Sequence, residues 1–178
     1  MEGFTDEEIM QQVAKGDLDR MRYLFDRYHL RIYNYALQLT HNQEVSKDIT
    51  QEVFYKIIKH RDTFKQAKFS SWIYTIARNL CHDYHKSLRK QEQQLSDLRS
   101  LNDILIARSQ ERFGCTEQLI KALNSLSIKD RELIIMSRFH GLKYQEIAEI
   151  TNSNVGALKT KMHRVLKKLK DHYFSTAK

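Results

Sequence analysis

Proline is absent from all 178 residues, and glycine occurs only five times. Proline is the strongest helix breaker and glycine the next, so the shortage of both predicts a nearly all-helical chain. Cysteine is scarce too: Cys81 and Cys115 stand alone with no regular spacing. Two such residues exclude a disulfide scaffold and suit a reducing cytosol. No uninterrupted apolar run approaches the roughly 20 residues that span a bilayer. The acidic opening "MEGFTDEEIM" has no apolar stretch of the kind a signal peptide needs. The expectation is a cytoplasmic protein with no direct membrane insertion. Acidic residues are also outnumbered, 22 against 30 lysines and arginines, giving a formal charge of +8. That excess directs the search toward partners bearing phosphate.

What is present is amphipathic helix. Thr5 and Glu8 have capping-box spacing, and Gly16 can stop the short helix they begin. Asp17 can cap a longer one in which Met21, Leu24, Phe25, Tyr28, Ile32, Ala36 and Leu39 recur at three- and four-residue steps. "THNQ" interrupts it, and Val45, Ile49, Val53 and Ile57 share one face of the next helix. Ser70 can cap a fourth, with Ile73, Ile76, Leu80 and Tyr84 as its inward stripe. From about Gln91 to Cys115 the composition turns polar and charge-balanced, as in a connector. A second helical unit comes after it, with Ser127 as a cap and Gly141 as a stop. The expected fold is all-α, with two small helical domains (residues 1–90 and 116–178) on a flexible connector (91–115).

The stretch "YQEIAEITNSNVGALKTKMHRV" carries the clearest functional signal. Ile147, Ala148 and Ile150 end one helix, and Thr-Asn-Ser-Asn supplies turn and N-cap residues. Val155, Leu158, Met162, Val165, Leu166 and Leu169 then bury one side of the last helix. Its other side carries Lys159, Lys161, Arg164, Lys167, Lys168 and Lys170, with no acidic residue among them. Two helices joined by a tight polar corner form a helix-turn-helix, whose second helix can enter a major groove. Asn154 belongs to the corner, and Gly156 and Ala157 let the helix start approach a phosphate closely. Thr160 and His163 can bond base edges while the cations neutralise phosphates.

A second basic surface surrounds Trp72. Trp72, Thr75, Asn79, His82 and Lys86 share a face of the fourth helix. Arg61, Lys65, Lys68, Arg78, Lys86, Arg89 and Lys90 face only Asp62 and Asp83 across residues 61–90. Cations beside aromatic rings such as Phe69 and Trp72 suit single-stranded nucleic acid, where rings stack on unpaired bases. The third helix differs. Glu44, Asp48 and Glu52, beside Gln51, form an acidic ridge fit for a basic protein partner. "CHDYH" sets Cys81, His82 and His85 close together, but zinc needs about four ligands and no matching pair exists. No metal, cofactor or catalytic residue is expected.

In this order the parts resemble the extracytoplasmic-function branch of bacterial RNA polymerase sigma factors, from about Leu18 to Leu169. The resemblance implies that the segment "DITQEVFYKI" binds core polymerase, through Asp48, Gln51, Glu52 and Phe54. It implies that "FSSWIYTIARNLCHDYHK" melts and reads the downstream promoter element, with Trp72, Ala77, Arg78, Asn79 and Asp83 at the family's pattern positions. The run from Leu123 to Leu169 is similar to the domain that reads the upstream element. It departs from the pattern at Ser127, Asn154, Ala157, Leu158 and Lys161. Ala157 lacks a hydroxyl and Lys161 lacks bidentate reach, which bears on the upstream sequence that is read. The resemblance also implies an anti-sigma partner. The competing reading is a helix-turn-helix regulator that binds duplex DNA without joining polymerase.

Overall fold

A computed structural model describes residues 3–65, 68–94 and 117–175. All regular structure among them is helical. Helix α1 (Asp6–Ala14) starts on the expected capping box, with Thr5 and Glu8 bonding each other's backbone N–H. Gly16, at φ 107°, turns the chain where a side chain would be strained. Asp17 does not cap the long helix after it. Its carboxylate accepts from Arg20 instead, and a 3₁₀ turn, Leu18–Arg20, leads into α2 (Met21–Thr40). His41 ends α2 in the left-handed region at φ 55°, and Asn42 caps α3 (Gln43–Lys59) by accepting from the Val45 N–H. A second 3₁₀ turn, Arg61–Thr63, precedes α4 (Phe69–Gln94), which runs into the segment read as connector. Most of that segment, Cys115 included, lies outside the described residues.

The second unit opens with α5 (Glu117–Asn124). Ser127 then caps α6 (Ile128–Ile134), accepting from the Asp130 N–H. α6 widens into a π turn over Ile135–Phe139, and Gly141 (φ 66°) closes it. Next come α7 (Tyr144–Thr151), the corner at Asn152 (φ 51°), and α8 (Val155–Ser175). Asn154 caps α8, its Oδ1 accepting from the Ala157 N–H at 2.7 Å. The helix-turn-helix is therefore present, with the corner residues in the expected roles.

Two buried stripes differ from expectation. In α2 the buried set includes Tyr35, whereas Phe25 is 45% exposed and stacks on His29. In α4 the fully buried positions are Phe69, Ile73, Tyr74, Ala77 and Cys81, while Ile76, Leu80 and Tyr84 are half-buried. The stripe is rotated about the helix because α4 is covered from two sides. α2 and α3 pack on one side, and α7, from the second unit, packs on the other. The two units share one continuous apolar cluster, from Ile9 through Tyr74 to Ile147 and Val165. Ser70 is drawn into this arrangement: it does not cap α4, but donates to Glu146 of α7. Burying a side chain the size of Tyr35 or Tyr74 contributes about 1.5–3 kcal/mol by area, so the shared cluster is a real adhesive.

Candidate nucleic-acid interface

Three surfaces matter. On α8, Leu158, Met162 and Val165 are buried, with Val155, Leu166 and Leu169 half-buried behind them. Gly156, Lys159, Thr160, Lys161, His163, Arg164, Lys167 and Lys168 are exposed. Thr160 Oγ1 donates to the Gly156 carbonyl at 3.1 Å. Lys161 and Lys168 lie 3.7 and 3.1 Å from the two oxygens of Asp130, yet remain 45% and 60% exposed. Pairs so open to water contribute little, and a phosphate can compete for both lysines. This face is a row of solvated cations on a capped helix.

The α3 ridge is equally open. Asp48 and Gln51 are exposed. Glu44 pairs with Lys47 at 2.8 Å, and Glu52 lies 4.0 Å from Lys56. Phe54 does not belong to this surface. It is only 6% exposed and packs on Phe25, ring centroids 4.8 Å apart, because its α3 position faces α2. Sequence reasoning had exchanged the two rings: Phe25 is the exposed one, and Tyr55 and Ile58 of α3 are exposed as well.

The α4 face divides. Lys65, Asn79, Asp83 and Lys86 are exposed. Trp72 is half-buried, its ring tilted against Phe64 at 5.3 Å. Phe69 is fully buried between Tyr28, Phe64 and Trp72, so it supports the tryptophan from below and touches no strand. The remaining residues meet the second unit. Glu132 of α6 is 1% exposed at its side chain, and its Oε1 gathers three groups. Tyr35 Oη donates at 3.0 Å, His82 Nε2 donates at 3.1 Å, and Arg78 Nε lies 3.1 Å away but out of hydrogen-bond line. Burial pushes the Glu132 carboxyl up, but the His82 bond, the Arg78 charge and the Tyr35 bond outweigh it and hold it below the usual carboxylate range.

Glu146 forms a second crossing. Its Oε1 accepts from Ser70 at 2.6 Å with Lys68 Nζ at 3.8 Å, while Oε2 accepts from the Lys143 N–H. His140, delivered by the π turn, packs edge-on against both Tyr35 and Tyr74, which also touch each other. Its Nε2 donates to Gln38 and its Nδ1 accepts from Tyr74, the arrangement of a neutral imidazole. Burial, then the Arg31 charge, lowers its pKa to about 4. Arg131 Nη1 donates to His41 at 2.7 Å, and burial with that charge lowers His41 to about 4. Beside Glu132 a recess of about 230 Å³ opens toward Lys129, Thr151, Ser153 and Lys161.

Sequence reasoning did not find Glu132, Glu146 or His140. Glu132 had left a signal: it stands four residues from both Ile128 and Met136, a carboxylate on an apolar stripe. Cys81 carries no chemistry of its own, since burial pushes its thiol up to about 12. Among the described residues, no three His, Cys, Asp or Glu side chains gather as a metal site requires. No described helix is long and apolar enough to cross a membrane.

Residues 24–91 match Sigma-70 region 2, and residues 116–169 match Sigma-70, region 4. The chain is 31% identical to the ECF RNA polymerase sigma factor SigW of Bacillus subtilis, over 87% of this chain and 89% of that protein. It belongs to the ECF RNA polymerase sigma factors. The ECF RNA polymerase sigma factor BldN of Streptomyces coelicolor is 27% identical over 91% of this chain, which spans only 63% of BldN. The fold is like that of the sigma factor RpoE of Bartonella quintana, solved in complex with the anti-sigma factor NepR: TM-score 0.64 and 20% identity over 85% of this chain and 95% of that one. In this sigma factor the region 2 match thus precedes the region 4 match, the order the sequence resemblance implied.

Proposed function

We propose that this sigma factor divides promoter recognition between its two basic helices and docks on core polymerase through α3. Asp48, Gln51 and Glu52 present the acidic ridge, with exposed Phe25 beside it. α8 enters the major groove of the upstream element, where Thr160 and His163 reach base edges and Lys159, Lys161, Arg164, Lys167 and Lys168 meet phosphates. Asn154 and Gly156 set the start of that helix against the backbone. Around α4, Trp72 and Asn79 take bases that leave the stack, and Lys65, Lys68, Arg78 and Lys86 follow the strand backbone. Asp83 completes that face by its resemblance to the family pattern. The chain forms and breaks no covalent bond; the polymerase makes the RNA in the cytoplasm.

The observation that carries this reading is the capped α8, with its apolar side buried and a row of cations open to solvent. The relative bound by an anti-sigma factor supports a partner of that class for this chain too. A regulator that only binds duplex DNA would have no use for the α3 ridge. The test is transcription in vitro with core enzyme and a genomic promoter library, followed by sequencing of run-off transcripts. Promoter-dependent products are expected, and their complete absence sinks the reading.

A further inference from the structure

Helix α1 lies ahead of the region 2 match, and the division of labour proposed above gives it no part. Its first turn nevertheless carries three carboxylates in a row, Asp6, Glu7 and Glu8, and each has a different task. Glu8 closes the capping box on Thr5. Asp6 accepts from Tyr28 Oη at 2.6 Å and from Arg27. Glu7 reaches across 62 residues of sequence: its Oε1 accepts from the Phe69 N–H at 3.0 Å. Phe69 is the first residue of α4, where backbone N–H groups have no partner within the helix. Among the described residues, α4 brings no cap of its own. Lys68, whose carbonyl accepts from the Trp72 N–H, has no acceptor on its side chain, and Ser70 is turned to Glu146.

Trp72 lies in that same first turn. Its ring rests on Phe64 and Phe69, and Phe69 in turn meets Tyr28, the residue that Asp6 holds by its hydroxyl. Two routes from α1 thus end on the tryptophan, one through backbone at Glu7 and one through rings at Asp6. α1 also packs against the 3₁₀ turn Arg61–Thr63 on the way into α4. Resting on the assignment of Trp72 to the opened strand, we propose that Glu7 is a positioning residue for strand capture. It is a helix cap supplied in trans, which keeps the first turn of α4, and with it Trp72, in place to receive a base. Helix ends without caps fray, and a ring carried on a fraying turn meets a base in many poses rather than one. The carboxylate adds a second effect, since negative charge at a helix N-terminus is stabilising. The α3 ridge and the α8 cations lie on other elements, so polymerase and duplex binding do not depend on this turn.

Trp72 is the chain's one tryptophan, so its emission reports its position directly. The experiment compares full-length wild type, Glu7→Ala and Glu7→Gln. It reads emission and acrylamide quenching of the free protein, binding to core polymerase and to upstream duplex, and melting of a promoter recovered from the run-off library. Melting is followed by permanganate reactivity of thymines. Glu7→Ala is expected to shift Trp72 emission to the red, raise its quenching and slow melting roughly fivefold. Its core and duplex binding should stay at the wild-type level. Glu7→Gln keeps the accepting oxygen and should melt the promoter within roughly twofold of wild type. Should Glu7→Ala fail to fold, Glu7→Asp, which keeps the charge but shortens the reach, decides in its place. Unchanged emission and melting in the folded variant overturn the proposal. So does an equal loss of core binding, duplex binding and melting, the mark of a merely structural residue. A Glu7→Gln defect as large as that of Glu7→Ala overturns it too, because the capping oxygen would then be irrelevant. Melting by Glu7→Ala at the wild-type rate sinks the positioning role alone, whereas no melting by any sample, wild type included, sinks the sigma reading with it.

Discussion

Helices α4 and α8 are both long, amphipathic and basic on one face, yet they stand in opposite conditions. The α8 cations are solvated, and those nearest Asp130 keep about half their surface open. Part of the α4 face is turned against carboxylates that are almost fully buried, with Arg78 only 20% exposed and Glu132 1%. The same residue types thus carry very different weight. A solvated pair is worth about 0–1 kcal/mol, whereas a buried carboxylate stripped of its partners costs several. The contrast shows that a cationic helix face is not by itself an available one.

Acid breaks this contrast most strongly. His140 and His41 lie in the seam with pKa near 4, below the ordinary 6.5. His140 faces Arg31, Gln38 and two tyrosines; His41 faces Arg131 and His85. Between those pKa values the unfolded chain binds more protons than the folded one. Stability is therefore at its fullest above about pH 6.5 as far as these imidazoles are concerned, and is lost as pH falls toward 4. Each tenfold drop in an imidazole's proton affinity on folding corresponds to about 1.4 kcal/mol, so the two together bring the effect at pH 4.5 to several kcal/mol. Scattering and thermal unfolding from pH 7.5 to 4.5 should show the radius growing and the transition moving down. A constant radius would mean that the seam does not depend on neutral histidines.

Next in size, Lys159→Ala with Arg164→Ala should strike only the α8 side. Duplex binding is expected to weaken on the order of tenfold or more near 0.1 M salt, with the slope against log salt falling by about 2. The radius should not move. An unchanged slope would take α8 out of the groove. Asn154→Ala removes the α8 cap and should cost about 1 kcal/mol in urea unfolding. A loss below a few tenths would mean that water replaces the cap at no cost.

The smallest expected effect sharpens the comparison from a third region. Asp48→Asn with Glu52→Gln on the solvated ridge should alter stability by less than about 0.5 kcal/mol. Core polymerase pull-down by the same variant should nonetheless fall several-fold. A stability loss near that of a buried pair would mean that the ridge is structural.

Much of the molecule was legible in advance, because capping and turn chemistry are local. Thr5 and Ser127 cap the helices they were expected to cap, Asn154 caps α8 from the corner where cap residues were expected, and Gly141 closes the turn where a stop was placed. The stripes of α3 and α8 also came directly from spacing, because each packs only within its own unit. Expectation failed where a residue answers to a distant partner. Ser70 is a good cap residue, but Glu146 of α7 claims its side chain. Phe25 and Phe54 exchanged roles because both helices could present an aromatic at their contact, and only packing chose. Phe69 reads as a stacking ring beside lysines, yet three aromatic rings enclose it.

By itself the sequence determined an all-helical chain with a helix-turn-helix at its end, two basic helix faces and one acidic ridge. Those features are periodic or local, so each window of residues carries its own instruction. Only the tertiary structure decided that the two units share a core and that Glu132 and Glu146 occupy part of the α4 face. That outcome depends on side chains far apart along the chain meeting out of water, where one carboxylate can draw in Tyr35, Arg78 and His82 together.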